Sequence, residues 1–246
     1  MSVILRKIEF ILGWVQGFGY SATLLDKEIR SFKGLIPKAR VFVDVGGNIG
    51  LYTESILRNF DAAQIHIFEP SAVNTVILEE KFKDLKQVII NPCGLSKTGF
   101  SAPLYADWQG SPMASLSKRT LRNYKLDFVP QEEIKLIRFD EYWNETQHSN
   151  ELIDLFKIDV EGHELDVLRG VGTKINDIKV IQFEFGGANI DSRTFFRDFW
   201  DYFKDHDFEM FRITPIGIKI RIKQYHESLE RFKISNYICI NKKLLS

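Results

Sequence analysis

Only two cysteines, Cys93 and Cys239, occur in 246 residues, far apart and each in an apolar stretch. That scarcity excludes a disulfide framework and a thiolate metal cluster, and it suits a reducing, cytoplasmic compartment. No charge of one sign dominates, because 33 Lys and Arg balance 33 Asp and Glu. Without an overall field, no nucleic-acid partner is expected. No long uncharged run is present either: Arg6, Lys7 and Glu9 break the apolar opening segment, which carries no signal-cleavage site. A membrane span is therefore not expected. Internal repeats and low-complexity tracts are missing as well.

What remains is a chain with 44% apolar residues, enough for one sizeable domain over residues 1 to 246. In the N-terminal appendage, residues 1 to 38, Ile4, Leu5, Ile8, Ile11, Leu12 and Val15 recur at helical spacing. A helix packed on the domain is expected there, with an interfacial membrane anchor as the alternative. From residue 40 onward, β-rich runs at 40 to 45, 64 to 69, 87 to 92, 155 to 160 and 180 to 185 alternate with helical stretches at 50 to 59, 72 to 83 and 163 to 169. This alternation predicts an α/β fold, a parallel sheet with helices on both faces.

Residues 99 to 140 interrupt the alternation as an inserted strand-loop-strand region, with "GFSAPLYA" and "EEIKLIRFDEYW" flanking a polar loop. That loop carries Trp108, Tyr124 and Phe128 beside Lys118, Arg119 and Arg122, and reads either as a substrate wall or as a solvated excursion. Further on, Phe196, Phe199, Trp200 and Phe203 form a helical stripe suited to the core. Runs at 208 to 213 and 236 to 240 read as a terminal antiparallel pair.

The stretch "VFVDVGGNIGLYT", residues 41 to 53, ends a buried strand at Asp44 and Val45, turns through Gly46, Gly47 and Asn48, and opens a helix at Gly50. Glycine lets a ligand approach the backbone, and the first helical amides present free donors. Neither the dinucleotide spacing G-x-G-x-x-G nor a P-loop G-K-[ST] is met. Asp44 would repel phosphate but could accept hydrogen bonds from a cationic or hydroxylated ligand. Glu69 follows Asp44 by 25 residues. That is close to the roughly 20 at which an acidic residue on the second strand meets a ribose diol. Together these motifs suggest an adenosine-type cofactor without a pyrophosphate.

"VFVDVGGNIGLYT", "IHIFEPS", "NPCGLS", "FKIDVEGHELDVLRG" and "IQFEFG", spread over about residues 40 to 185, resemble the FkbM-type S-adenosylmethionine-dependent methyltransferases. The resemblance implies a class I, Rossmann-like methyltransferase fold. Its sheet would be mostly parallel and seven-stranded, with helices on both faces and an antiparallel C-terminal strand. It also implies S-adenosylmethionine as cofactor and O-methylation of a sugar, glycan or related hydroxylated metabolite. Carried over by position, Asp44, Gly46, Gly47, Asn48 and Gly50 would surround the methionine end of the cofactor, with Asp159 nearby. Glu69, beside Pro70, would take the ribose hydroxyls, and the turn of Asn91, Cys93 and Gly94 would flank the adenine. Gly47 stands where many relatives carry Ala. A homo-oligomer is compatible with this reading.

Methyl transfer needs an aligned acceptor and a group to remove its proton. "KIDVEGHE" places Asp159, Glu161, His163 and Glu164 at the carboxyl end of the fourth strand of the alternation, where a parallel sheet opens its ligand crevice. His163 could act as general base, or Asp159 or Glu161 could take the proton. Alternatively, Glu161 and Glu164 only favour the positive end of the next helix. Asp159, Glu161 and His163, with Glu184, offer ligands for a divalent cation, but the spacing is not diagnostic and no metal is expected. Glu184, followed by Gly186 and Gly187, either binds acceptor hydroxyls or ends a strand. His66 reads as a packed strand residue. Two competing functions remain, a noncatalytic nucleoside-binding module and, disfavoured by the missing fingerprint, a nicotinamide-dependent oxidoreductase.

Overall fold

The computed structural model describes residues 3–19, 25–62, 64–119 and 126–245. Arg122 and Tyr124 of the polar loop lie outside them. The strands are β1 (Val41–Val45), β2 (Gln64–Phe68), β3 (Val88–Asn91), β4 (Gly94–Leu95), β5 (Phe100–Ala106), β6 (Val129–Ile137), β7 (Ile153–Ile158), β8 (Ile178–Phe185), β9 (Phe208–Ile213), β10 (Lys219–Ile222) and β11 (Ser235–Asn241). The helices are α1 (Val3–Val15), α2 (Leu25–Lys33), α3 (Leu51–Asn59), α4 (Ala72–Phe82), α5 (Phe139–Glu145), α6 (Glu164–Val171), α7 (Ala188–Ser192) and α8 (Phe196–Asp205).

Every residue of β1, β2 and β7 is buried, as expected of strands covered on both faces. They lie inside a sheet of order β10-β9-β11-β8-β7-β1-β2-β3. Strands β3, β2, β1, β7 and β8 run parallel, while β11 is antiparallel to both β8 and β9. The sheet has eight strands and not seven, because β10 folds back on β9 through a short turn. Strand order reverses between β1 and β7, so the crevice of an open α/β sheet falls at their carboxyl ends.

One hydrophobic cluster includes Phe139, Trp143, Phe156, Leu168, Phe183 and Phe199. A second gathers Phe32, Phe42, Ile56, Ile65 and Leu155. Phe196, Phe199 and Phe203 of the predicted stripe are buried, and the Phe183 and Phe199 rings stack at 4.8 Å. β5 and β6 of the 99 to 140 region join β4 in a separate three-stranded sheet. The end of "EEIKLIRFDEYW" is helical, because Phe139 and Trp143, four residues apart, both turn into the core as α5. Within the N-terminal appendage, α2 buries Ile29 and Phe32, whereas Ile8, Ile11, Leu12 and Val15 of α1 are exposed instead of packed, and Trp14 is half-buried. None of the described helices is long and apolar enough to cross a membrane.

Candidate active site

The β1 to α3 turn is shaped by what it must fit against. A Cβ on Gly46 would lie 1.8 Å from the Asp159 carbonyl oxygen, so the ends of β1 and β7 close only around glycine. Asn48 adopts a positive φ of 46°, tolerated by its short amide side chain. Gly47 abuts Ile67, whose Cγ2 would be 2.2 Å from an alanine methyl, so Ile67 fills the space that Ala needs. Gly46 and Asn48 line two adjoining cavities and Gly47 lines one of them. Gly50 lines neither; it faces Leu78 and Phe82.

The first cavity, about 620 Å³, has an apolar wall that includes Phe68, Leu95, Leu104, Ile134 and Leu136, with Glu69 at its edge. Leu104, Ile134 and Leu136 come from the small sheet, so the inserted region builds this wall. Glu69 is buried and organised: Oε2 accepts the Asn48 N–H at 2.8 Å and Oε1 the Ser71 N–H at 2.9 Å. Burial raises its pKa against these bonds. Asn74 Nδ2 also donates to Oε1 at 3.4 Å, so the acceptor capacity left for a ligand is on Oε2. The apolar wall and the oriented carboxylate thus lie side by side at this cavity. Pro70 and Gly94 line this cavity, whereas Asn91 and Cys93 do not. Asn91 Nδ2 donates to the Ile67 carbonyl at 3.0 Å, and Cys93 packs in the core, where burial pushes its thiol up to about 11.

Asp44 is also placed differently from the sequence expectation. It has no solvent exposure and lines neither cavity. Its Oδ2 accepts from Thr53 Oγ1 at 2.8 Å, and its Oδ1 lies 3.3 Å from Lys157 Nζ. The carboxylate is thus paired within the protein, with Oδ1 making no hydrogen bond. Lys157 also sits 3.5 Å from Asp159 Oδ2, and the two carboxylates hold its ammonium above the ordinary lysine range despite burial. Sequence reading missed Lys157; its signal was a charged residue inside the apolar run "LFKIDV".

At the mouth, Asp159, Glu161 and Glu184 each bring a carboxylate oxygen within 4.8 Å of the others. Glu161 is held at a positive φ of 52° and accepts from Arg119 Nη1 at 2.7 Å. Burial, then the neighbouring Asp159, pushes Glu161 up to about 8; burial and the same neighbours raise Glu184. Carboxylates this close could share a divalent cation, but Lys157 and Arg119 already supply positive charge to the group. Glu164 serves the loop: it accepts the Gly162 N–H at 2.9 Å and Asn189 Nδ2 at 3.2 Å. His163 lines the first cavity, with Nε2 2.9 Å from Ser117 Oγ, and burial lowers its pKa. The polar loop thus packs on this segment through Ser117, Arg119 and Ser115, whose hydroxyl donates to the Glu161 carbonyl at 2.7 Å.

The second cavity, about 750 Å³, shares Gly46, Asn48, Pro112 and Asp159 with the first. Its far wall is a network that the sequence did not reveal. Tyr52 Oη donates to Gln182 Oε1 at 2.5 Å, and Gln182 Nε2 and Asn236 Nδ2 each donate to Glu28 at 3.0 Å. Burial pushes Glu28 up to about 7.

A family model described as the methyltransferase FkbM domain matches residues 44–210. Among curated proteins, the chain is 27% identical over 153 residues to "Methyltransferase 1" of Beauveria bassiana, covering 55% of this chain and 59% of that protein. It is 29% identical over 160 residues to "Methyltransferase sdnD" of Sordaria araneosa, covering 55% and 62%. The match thus spans less than two thirds of either relative. Among solved structures, the FkbM methyltransferase of Methylobacillus flagellatus KT superposes with a TM-score of 0.49 at 14% identity, covering 96% of this chain and 59% of that one. A methyltransferase of Streptococcus mutans in complex with SAH gives 0.47 at 9%, covering 90% and 99%.

Proposed function

From the premise that the chain belongs to the FkbM methyltransferase family, we propose that it transfers a methyl group from S-adenosylmethionine to a hydroxyl of a sugar, glycan or related metabolite, in the cytoplasm. When bound, this cofactor supplies an electrophilic methyl group on a sulfonium. The apolar wall and Glu69 would hold its nucleoside, and Gly46, Asn48 and Asp159 would line the passage between the cavities.

The observation that carries the hydroxyl reading is the cluster of Asp159, Glu161 and Glu184 beside that passage. A hydroxyl is weakly acidic, so its proton must go to a base whose affinity for protons is higher than that of an ordinary carboxylate. Desolvation and mutual repulsion provide that here, and Glu161 at about 8 is poised for it. Glu161 is the favoured proton acceptor, with Asp159 aligning the acceptor hydroxyl. His163, its Nε2 engaged by Ser117, positions the segment.

Incubating the protein with cofactor labelled in its methyl group and a panel of sugars and glycans, followed by mass spectrometry, tests this directly. Label on an acceptor oxygen supports it. Transfer only to nitrogen or carbon acceptors, or stabilisation by NAD instead of S-adenosylhomocysteine in a thermal-shift assay, contradicts it.

A further inference from the structure

Helix α1 stands out because it leaves an apolar face unpacked. Ile8, Ile11, Leu12 and Val15 fall within a stripe of about 100°, yet they are 48%, 58%, 57% and 45% exposed. A helix of 13 residues is marginal in water unless an apolar face is covered. Among the described residues nothing covers this one.

The position of α1 follows from its C-terminal attachment. The Arg212 guanidinium donates through Nε to the Gln16 carbonyl at 2.7 Å, and the Gly19 N–H donates to the Ile234 carbonyl at 2.7 Å. Arg212 and Arg231 both lie over the Phe18 ring, at 3.9 and 4.8 Å. Arg212 is near the end of β9, and Ile234 immediately precedes β11. Since β8 and β9 are both antiparallel to β11, they run the same way. The carboxyl end of β9 therefore lies on the sheet edge that holds the crevice. The turn into β10 is on that edge too, and it exposes Ile216 at 55% and Ile218 at 56%.

Basic residues border these two segments. Lys7 lies on α1, the Lys27 carbonyl sits beside Gly217 of the turn, and Lys219 opens β10 at the same edge. Lys7 and Lys27 are exposed and Lys219 is half-buried. A second copy of the chain would suit this surface poorly. A two-fold contact sets each patch against itself, basic rim on basic rim. One face of so short a helix also falls well below the ~800 Å² per partner of a stable dimer.

We propose that this edge docks on an anionic lipid bilayer, with α1 lying in the interfacial plane and the Ile216 to Ile218 turn inserting beside it. Docking stands without the methyl-transfer reading. On the methyl-transfer reading, hydroxyls carried at the membrane surface become the natural acceptors.

The full chain is sedimented with vesicles of phosphatidylcholine, with and without phosphatidylserine, and with added salt. Pelleting with the anionic vesicles alone, weakened by salt, is expected. Ile8→Gln/Leu12→Gln and Ile216→Ser/Ile218→Ser should each reduce binding by at least about tenfold, with unchanged melting temperature because all four side chains are exposed. The proposal is overturned if anionic vesicles fail to bind the wild-type chain, if both double variants bind as well as wild type, or if light scattering reveals a dimer that these substitutions dissolve.

Discussion

Lys157 Nζ lies 3.3 Å from Asp44 Oδ1 in the interior of the sheet, where Asp44 has no contact with water. Removing the ammonium leaves a buried carboxylate uncompensated, which costs more than the pair contributes. Lys157→Met should therefore lower unfolding stability by about 3–5 kcal/mol. Adding Asp44→Asn should recover a large part of the loss. Urea titrations of the single and double variants measure it, and equal stability of the two would contradict the pairing.

Glu69 both holds the turn and faces the first cavity. Glu69→Ala should weaken S-adenosylhomocysteine binding by about 10- to 100-fold, the loss expected for charge-assisted hydrogen bonds to a diol. Calorimetry at constant temperature would read this. Wild-type affinity in the variant would move the ribose elsewhere.

The proton-accepting form of Glu161 appears as pH rises through about 8. Turnover under saturating cofactor should climb over that interval, because below it the carboxyl already carries a proton. Glu161→Gln should reduce turnover by about 10²–10⁴-fold and flatten the profile, leaving cofactor affinity nearly intact. A variant that retains the rise would assign it to another group.

Stability should depend on pH in the opposite sense. Glu28 and Glu164 are raised to about 7, and Glu161 to about 8, from an ordinary 4.5. Their contribution is complete below 4.5 and is lost as pH rises through 7 to 8. His66, lowered to about 4 by burial, and His163, lowered in the same way, act in reverse, losing stability as pH falls below 6.5. The melting temperature should therefore peak in mildly acidic solution and fall toward pH 9. A steady rise toward alkaline pH, followed by circular dichroism, would contradict this balance.

The parallel strands and their helices could be read from sequence because their signals are local: β-rich runs, a glycine turn, a carboxylate at the right separation. Gly46, Asn48, Glu69 and Asp159 meet at the crevice for that reason. The partner of Asp44 was not legible, because its position in the motif does not reveal that Lys157, 113 residues later, pairs with it from the adjacent strand. Glu28, Gln182 and Asn236 converge from three distant parts of the chain, and no spacing rule links them. The strand β10 was missed because "KIRI" is short and half charged.

The wall joining Glu28 to Asn236 draws on both ends of the chain. Both residues fall outside the stretch matched by the family model, one before it and one after it. The half of the crevice suited to a nucleoside is framed by the shared domain, while the opposite half is finished by flanking segments. In this chain, side chains from outside the matched stretch complete that wall.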